Sequence, residues 1–64
     1  MTRMVSIGTK IRQIHGLVGT SDVDERETRF IERVYDWTDA GEHTHSLSFK
    51  QIDWISDIWE RHFA

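Results

Sequence analysis

The chain has 64 residues, 38% of them hydrophobic and 30% charged, with a net charge of −3. A chain this short buries only about 60% of the surface its unfolded form exposes, which leaves room for one small core and none for a nucleotide-binding sheet. The absence of cysteine removes disulfides, zinc fingers and thiol chemistry, and zero proline with four glycines favours helices over a turn-rich β fold.

No apolar run exceeds two residues, against the ~20 a membrane-spanning helix needs. The first ten residues lack the continuous apolar stretch of an export signal. The expectation is a cytoplasmic protein without membrane contact. Charge is unevenly spread: residues 1–20 hold Arg3, Lys10 and Arg12 and no acid, whereas residues 21–64 hold all eleven acids against five bases. An acidic total argues against a dedicated duplex-DNA binder, though not against a local basic surface.

Three segments show helical periodicity, and residues 1–64 read as one all-α, three-helix domain. In the first, Met4, Ile7, Ile11, Ile14 and Val18 form one apolar stripe, with Gly16 and Gly19 closing it. Gly8 weakens its first turn. The second is predicted from about Asp22 to Ala40, the longest of the three, capped by Thr20 or Ser21 and ended by Gly41. The third has the clearest start: Ser48 and Gln51 make a Ser-x-x-Gln capping box, and Leu47 with Ile52 a hydrophobic staple. Ile52, Ile55, Trp59 and Phe63 form its expected buried stripe. A two-helix hairpin with a loose N-terminal arm is the alternative.

Glu27-x-x-Phe30-Ile31, a polar gap, then Leu47-Ser48-x-Lys50-Gln51-x-x-Trp54-Ile55-x-x-Ile58 resembles a helical module found in proteins of phages and other mobile elements. The module occurs alone or attached to proteins of DNA metabolism. The resemblance covers about residues 22–61 and leaves residues 1–20 outside it. It implies a helical fold and a setting in a host cell, and says little about activity.

Several side chains stand out. Glu27 falls on the apolar face of the second helix, where a carboxylate must be paired; the N–H groups opening the third helix, or Lys50 and Gln51, are the expected partners. Arg26, Arg29 and Arg33 lie within about 60° on one side of that helix. They read as a salt-bridged face with Glu25, Glu32 and Asp36, or as a phosphate-gripping stripe. Asp53, Asp57 and Glu60 make an acidic stripe on the third helix. Trp54, Ile58 and Arg61 lie at its apolar edge, either covered by the first helix or forming a partner-binding patch. His43-x-His45 lacks the further ligands that zinc requires. No nucleophile turn or oxyanion loop is present, so neither catalytic residues nor a cofactor is expected.

The leading expectation is a non-catalytic, phage-type protein-binding module, with inhibition of a host complex as its expected effect. Its contact residues are Trp54, Ile58 and Arg61 with Asp53 and Asp57. Its partner is a host or phage protein, and self-association is compatible. The alternative is a nucleic-acid-binding accessory module using Arg3, Lys10, Arg12, Arg26, Arg29 and Arg33. Glu27, Ser48 and Gln51 are assigned structural roles.

Overall fold

Ser6 opens the first helix: its hydroxyl oxygen accepts the Thr9 backbone N–H at 3.2 Å, satisfying one of the donors a helix start leaves unpaired. In the computed structural model, which describes residues 5–64, the helices are α1 (Ile7–His15), α2 (Glu25–Trp37) and α3 (Phe49–Phe63). The all-α reading holds. The longest helix is α3, with 15 residues against 13 for α2. Met4 lies outside the described residues. Among them, no helix is long and apolar enough to cross a membrane.

α2 is shorter than its sequence signals at both ends. Thr20 is not its cap: its hydroxyl donates to the Leu17 carbonyl at 2.6 Å and accepts the Asp22 N–H at 3.3 Å, within the preceding turn and short of α2. Asp24 caps instead, accepting from the Glu27 N–H at 2.7 Å, while the Glu27 carboxylate accepts the Asp24 N–H. At the other end Asp39, Ala40 and Gly41 all have positive φ, which terminates the helix before Thr38. The third helix opens as expected, with Ser48 and Gln51 forming a reciprocal capping box.

The core consists of Ile11, Ile14, Val23, Ile31, Val34, Leu47, Ile55 and Ile58. α1 packs against both other helices, whereas α2 and α3 approach each other only weakly. Its closeness to the chain beyond α2 explains Gly8: a Cβ there would meet the Gly41 carbonyl oxygen at 2.3 Å. Thr38, fully buried, donates to the Val34 carbonyl and accepts the Gly41 N–H, so its hydroxyl is satisfied.

Candidate functional site

The outer face of α3 differs from its expected layout. Ile58, assigned to an exposed partner-binding edge, is fully buried and belongs to the core. The reason is the position of α1, whose Ile11 and Ile14 are equally enclosed: it lies across α3 so that the inward direction falls between Ile55 and Ile58. The expected stripe rotates accordingly. Ile52 and Trp59 become flanking residues, and Phe63 is 42% exposed.

Arg61 is not a free contact residue either. It donates to the Glu27 carboxylate, and its Nε lies 3.3 Å from a carboxylate oxygen of Asp57 as an ion pair. Glu27 is therefore paired as expected, with its side chain 12% exposed, but its partner comes from the last turn of α3 rather than from the first. That hydrogen bond is the main cause raising the Arg61 pKa above its ordinary value, opposed by desolvation and helped by the charges of Glu27, Asp57 and Asp24. The guanidinium is charged in any case, so the consequence is mechanical: the start of α2 is tied to the end of α3.

The second tie is aromatic. Trp54, partly buried, stacks on Phe30 with ring centroids 4.0 Å apart and planes inclined by 22°. Moving from Glu27 to Phe30 on α2 corresponds to moving from Arg61 back to Trp54 on α3, so the two helices run in opposite directions. Because their backbones do not pack closely, a groove of about 410 Å³ remains between them. Glu25, Arg26, Arg29, Phe30, Arg33 and Trp54 line it.

The arginine stripe thus forms one wall of a groove with an aromatic floor. Arg29 is paired with Glu25 at 2.7 Å. The expected pairs of Arg29 with Glu32 and of Arg33 with Asp36 do not form, and among the described residues Arg26 and Arg33 have no ion-pair partner. Such free guanidinium groups beside exposed ring surface can hold carboxylate or phosphate oxygens bidentately. Trp37, 66% exposed, extends the same face of α2, four residues beyond Arg33. The spacing of Arg26, Phe30, Arg33 and Trp37, at intervals of four, three and four, was the sequence signal for this wall.

Lys10 and Arg12 are engaged elsewhere. Lys10 donates to the Ser56 hydroxyl at 3.3 Å and lies 5.1 Å from the centre of the Trp59 ring. Arg12 donates to the Ala40 carbonyl at 3.2 Å and to Thr9. Both therefore tie α1 to its surroundings and add little to a nucleic-acid surface; Arg3 lies outside the described residues. The His43 and His45 rings meet edge to face at 6.5 Å, and no group of three metal-ligating side chains occurs among the described residues. Asp53 and Glu60 are exposed and unpaired among the described residues.

The fold and groove define a small all-α domain with a basic, aromatic-floored cleft between its second and third helices. No protein family, no curated protein and no solved structure matches this chain.

Proposed function

We propose that the chain is a small non-catalytic protein-binding module whose α2–α3 groove takes an acidic segment of a partner protein. The observation that carries this reading is the pair of guanidinium groups, Arg26 and Arg33, that have no ion-pair partner among the described residues and lie beside the Phe30–Trp54 stack. Tryptophan and arginine dominate binding hot spots, and carboxylates match the guanidinium fork. The resemblance to the phage and mobile-element module supports a host or phage protein as the partner, met in the host cytoplasm, with inhibition of a host complex as the outcome. Neither a cofactor nor a metal enters this reading.

The nucleic-acid alternative draws on the same groove. It is weakened because Lys10 and Arg12 are held by intramolecular contacts and because eleven acids work against a long polyanion. Tryptophan fluorescence separates the two. A synthetic peptide with one aromatic residue between glutamates is expected to bind saturably, and Arg26→Gln/Arg33→Gln to abolish the response. Sub-micromolar binding of a single-stranded oligonucleotide, steeply salt-dependent and lost in the same variant, would overturn the protein-binding reading. A pull-down from host lysate that succeeds with the parent and fails with the variant then identifies the partner.

A further inference from the structure

The wall that α2 presents to the groove is built as a ladder. Arg26, Phe30, Arg33 and Trp37 follow at intervals of four, three and four, which keeps all four on one face. At 1.5 Å per residue the rungs are about 6, 4.5 and 6 Å apart, roughly 16 Å from end to end. This face lies about 100° round α2 from Ile31 and Val34, which turn to the core shared with α1. α1 therefore leaves it uncovered, and Arg26, Arg33 and Trp37 are exposed. Neither arginine has an ion-pair partner among the described residues.

Across the groove, α3 adds a third cation. Lys50 precedes Trp54 by four residues and so neighbours it on α3, exposed and without an ion-pair partner among the described residues. The two helices are antiparallel, with Glu27 joined to Arg61 and Phe30 to Trp54, so Lys50 comes level with Arg33.

We propose, on the protein-binding reading above, that the acidic segment is an amphipathic α-helix of the partner. It carries two acids seven positions apart, an apolar residue between them and a second apolar residue at one end, again at intervals of four, three and four. The rungs decide against an extended segment. A strand advances about 3.3 Å per residue and turns alternate residues away, so its same-face side chains fall about 6.6 Å apart and overshoot the step from Phe30 to Arg33 by about 2 Å. A polyproline helix, at about 3.1 Å per residue and three residues per turn, returns to one face only every 9 Å or so, and meets the arginines without the rings. A second α-helix has the rise of α2 itself, so its acids face Arg26 and Arg33 while its apolar residues face Phe30 and Trp37. Seated over the gap between α2 and α3, it rests its middle apolar side chain on the Phe30–Trp54 stack. The acid opposite Arg33 is then within reach of Lys50 as well. The spacing reads the same from both ends, so the direction of the guest helix depends only on whether an acid or an apolar residue comes first.

Two synthetic peptides of about 20 residues test this, long enough for the ladder with a turn at each end. One has the order Glu-x-x-x-Leu-x-x-Glu-x-x-x-Leu and the other the reverse, with glutamine or serine at x so that the free peptides are weakly helical. At least one should bind the parent saturably by tryptophan fluorescence. Its mixture with the parent should gain helical ellipticity beyond the sum of the separate spectra. Proline at the central x positions breaks the helix but keeps both glutamates, and should weaken binding at least tenfold. Moving the second glutamate by one position turns it about 100° away and should do the same at unchanged composition. On the protein, Arg26→Gln/Arg33→Gln should abolish binding, and Trp37→Ser and Lys50→Gln should each weaken it severalfold, all with the parent's circular dichroism. These side chains are exposed, and the peptide variants leave the protein untouched. A proline peptide that binds as tightly as the unbroken one, or binding without a gain in helical signal, overturns the helix and leaves the protein-binding groove standing. If no acidic peptide of either shape binds, both fall.

Discussion

Gly8 and Thr38 show how much of this fold rests on single atoms. An alanine at position 8 improves helix propensity by about 1 kcal/mol. Its Cβ, however, would sit 2.3 Å from the Gly41 carbonyl oxygen, a backbone atom that cannot rotate away. Forcing such an overlap apart costs about 1–3 kcal/mol or more, so the steric term wins. Gly8→Ala is therefore expected to lower the urea midpoint, and a raised midpoint would show that the helix and the turn do not touch. Thr38→Val keeps the shape of a buried side chain but leaves the buried Gly41 N–H without an acceptor. The expected loss is about 1–3 kcal/mol, measurable by chemical denaturation; a neutral result would mean that N–H finds another partner.

The helices are set by their ends as much as by their stripes. Ser48 accepts the Gln51 N–H at 3.2 Å and Gln51 accepts the Ser48 N–H at 2.8 Å. Ser48→Ala should cost roughly 0.5–2 kcal/mol, a sizeable part of the ~3–10 kcal/mol expected of a chain this size. An unchanged denaturation midpoint would place the start of α3 elsewhere. Glu27 serves two elements at once, closing the capping box of α2 and receiving Arg61 from α3. Glu27→Gln keeps one side-chain oxygen and so an acceptor for one of the two contacts, whereas Glu27→Ala removes both. The glutamine variant should thus be clearly the more stable, and equal midpoints would separate Glu27 from the contact between α2 and α3.

For the whole molecule, the distinction that matters on α3 is between Ile58 and Trp54. Ile58 is fully enclosed, so Ile58→Ala should cost about 2–5 kcal/mol and leave little folded protein at 37 °C. Trp54 is only partly buried and rests on Phe30 across an open groove. Trp54→Ala should lower the melting temperature less than Ile58→Ala while abolishing peptide binding. Circular dichroism melts beside fluorescence titration read both quantities. A Trp54→Ala protein that cannot fold would make the stack a core element and deprive the groove of its floor.

The all-α class, the existence of three helices and the start of α3 were legible in the sequence, because capping and amphipathic periodicity are local properties carried by neighbouring residues such as Ser48 and Gln51. The arginine stripe was legible for the same reason. The start of α2 was not: Thr20, Ser21 and Asp24 can all cap, and the selection fell to Asp24 because the turn after α1 turns the Thr20 hydroxyl to the Leu17 carbonyl and the Asp22 N–H. Periodicity also defines an apolar face only to within a residue or two. Which of Ile58 and Trp59 points fully inward depends on where α1 lies, a contact between residues more than forty positions apart. The groove belongs to the same category. It exists because α1 holds α2 and α3 while the backbones of those two helices stay apart and meet only through side chains, and only packing in three dimensions decides where a gap is left.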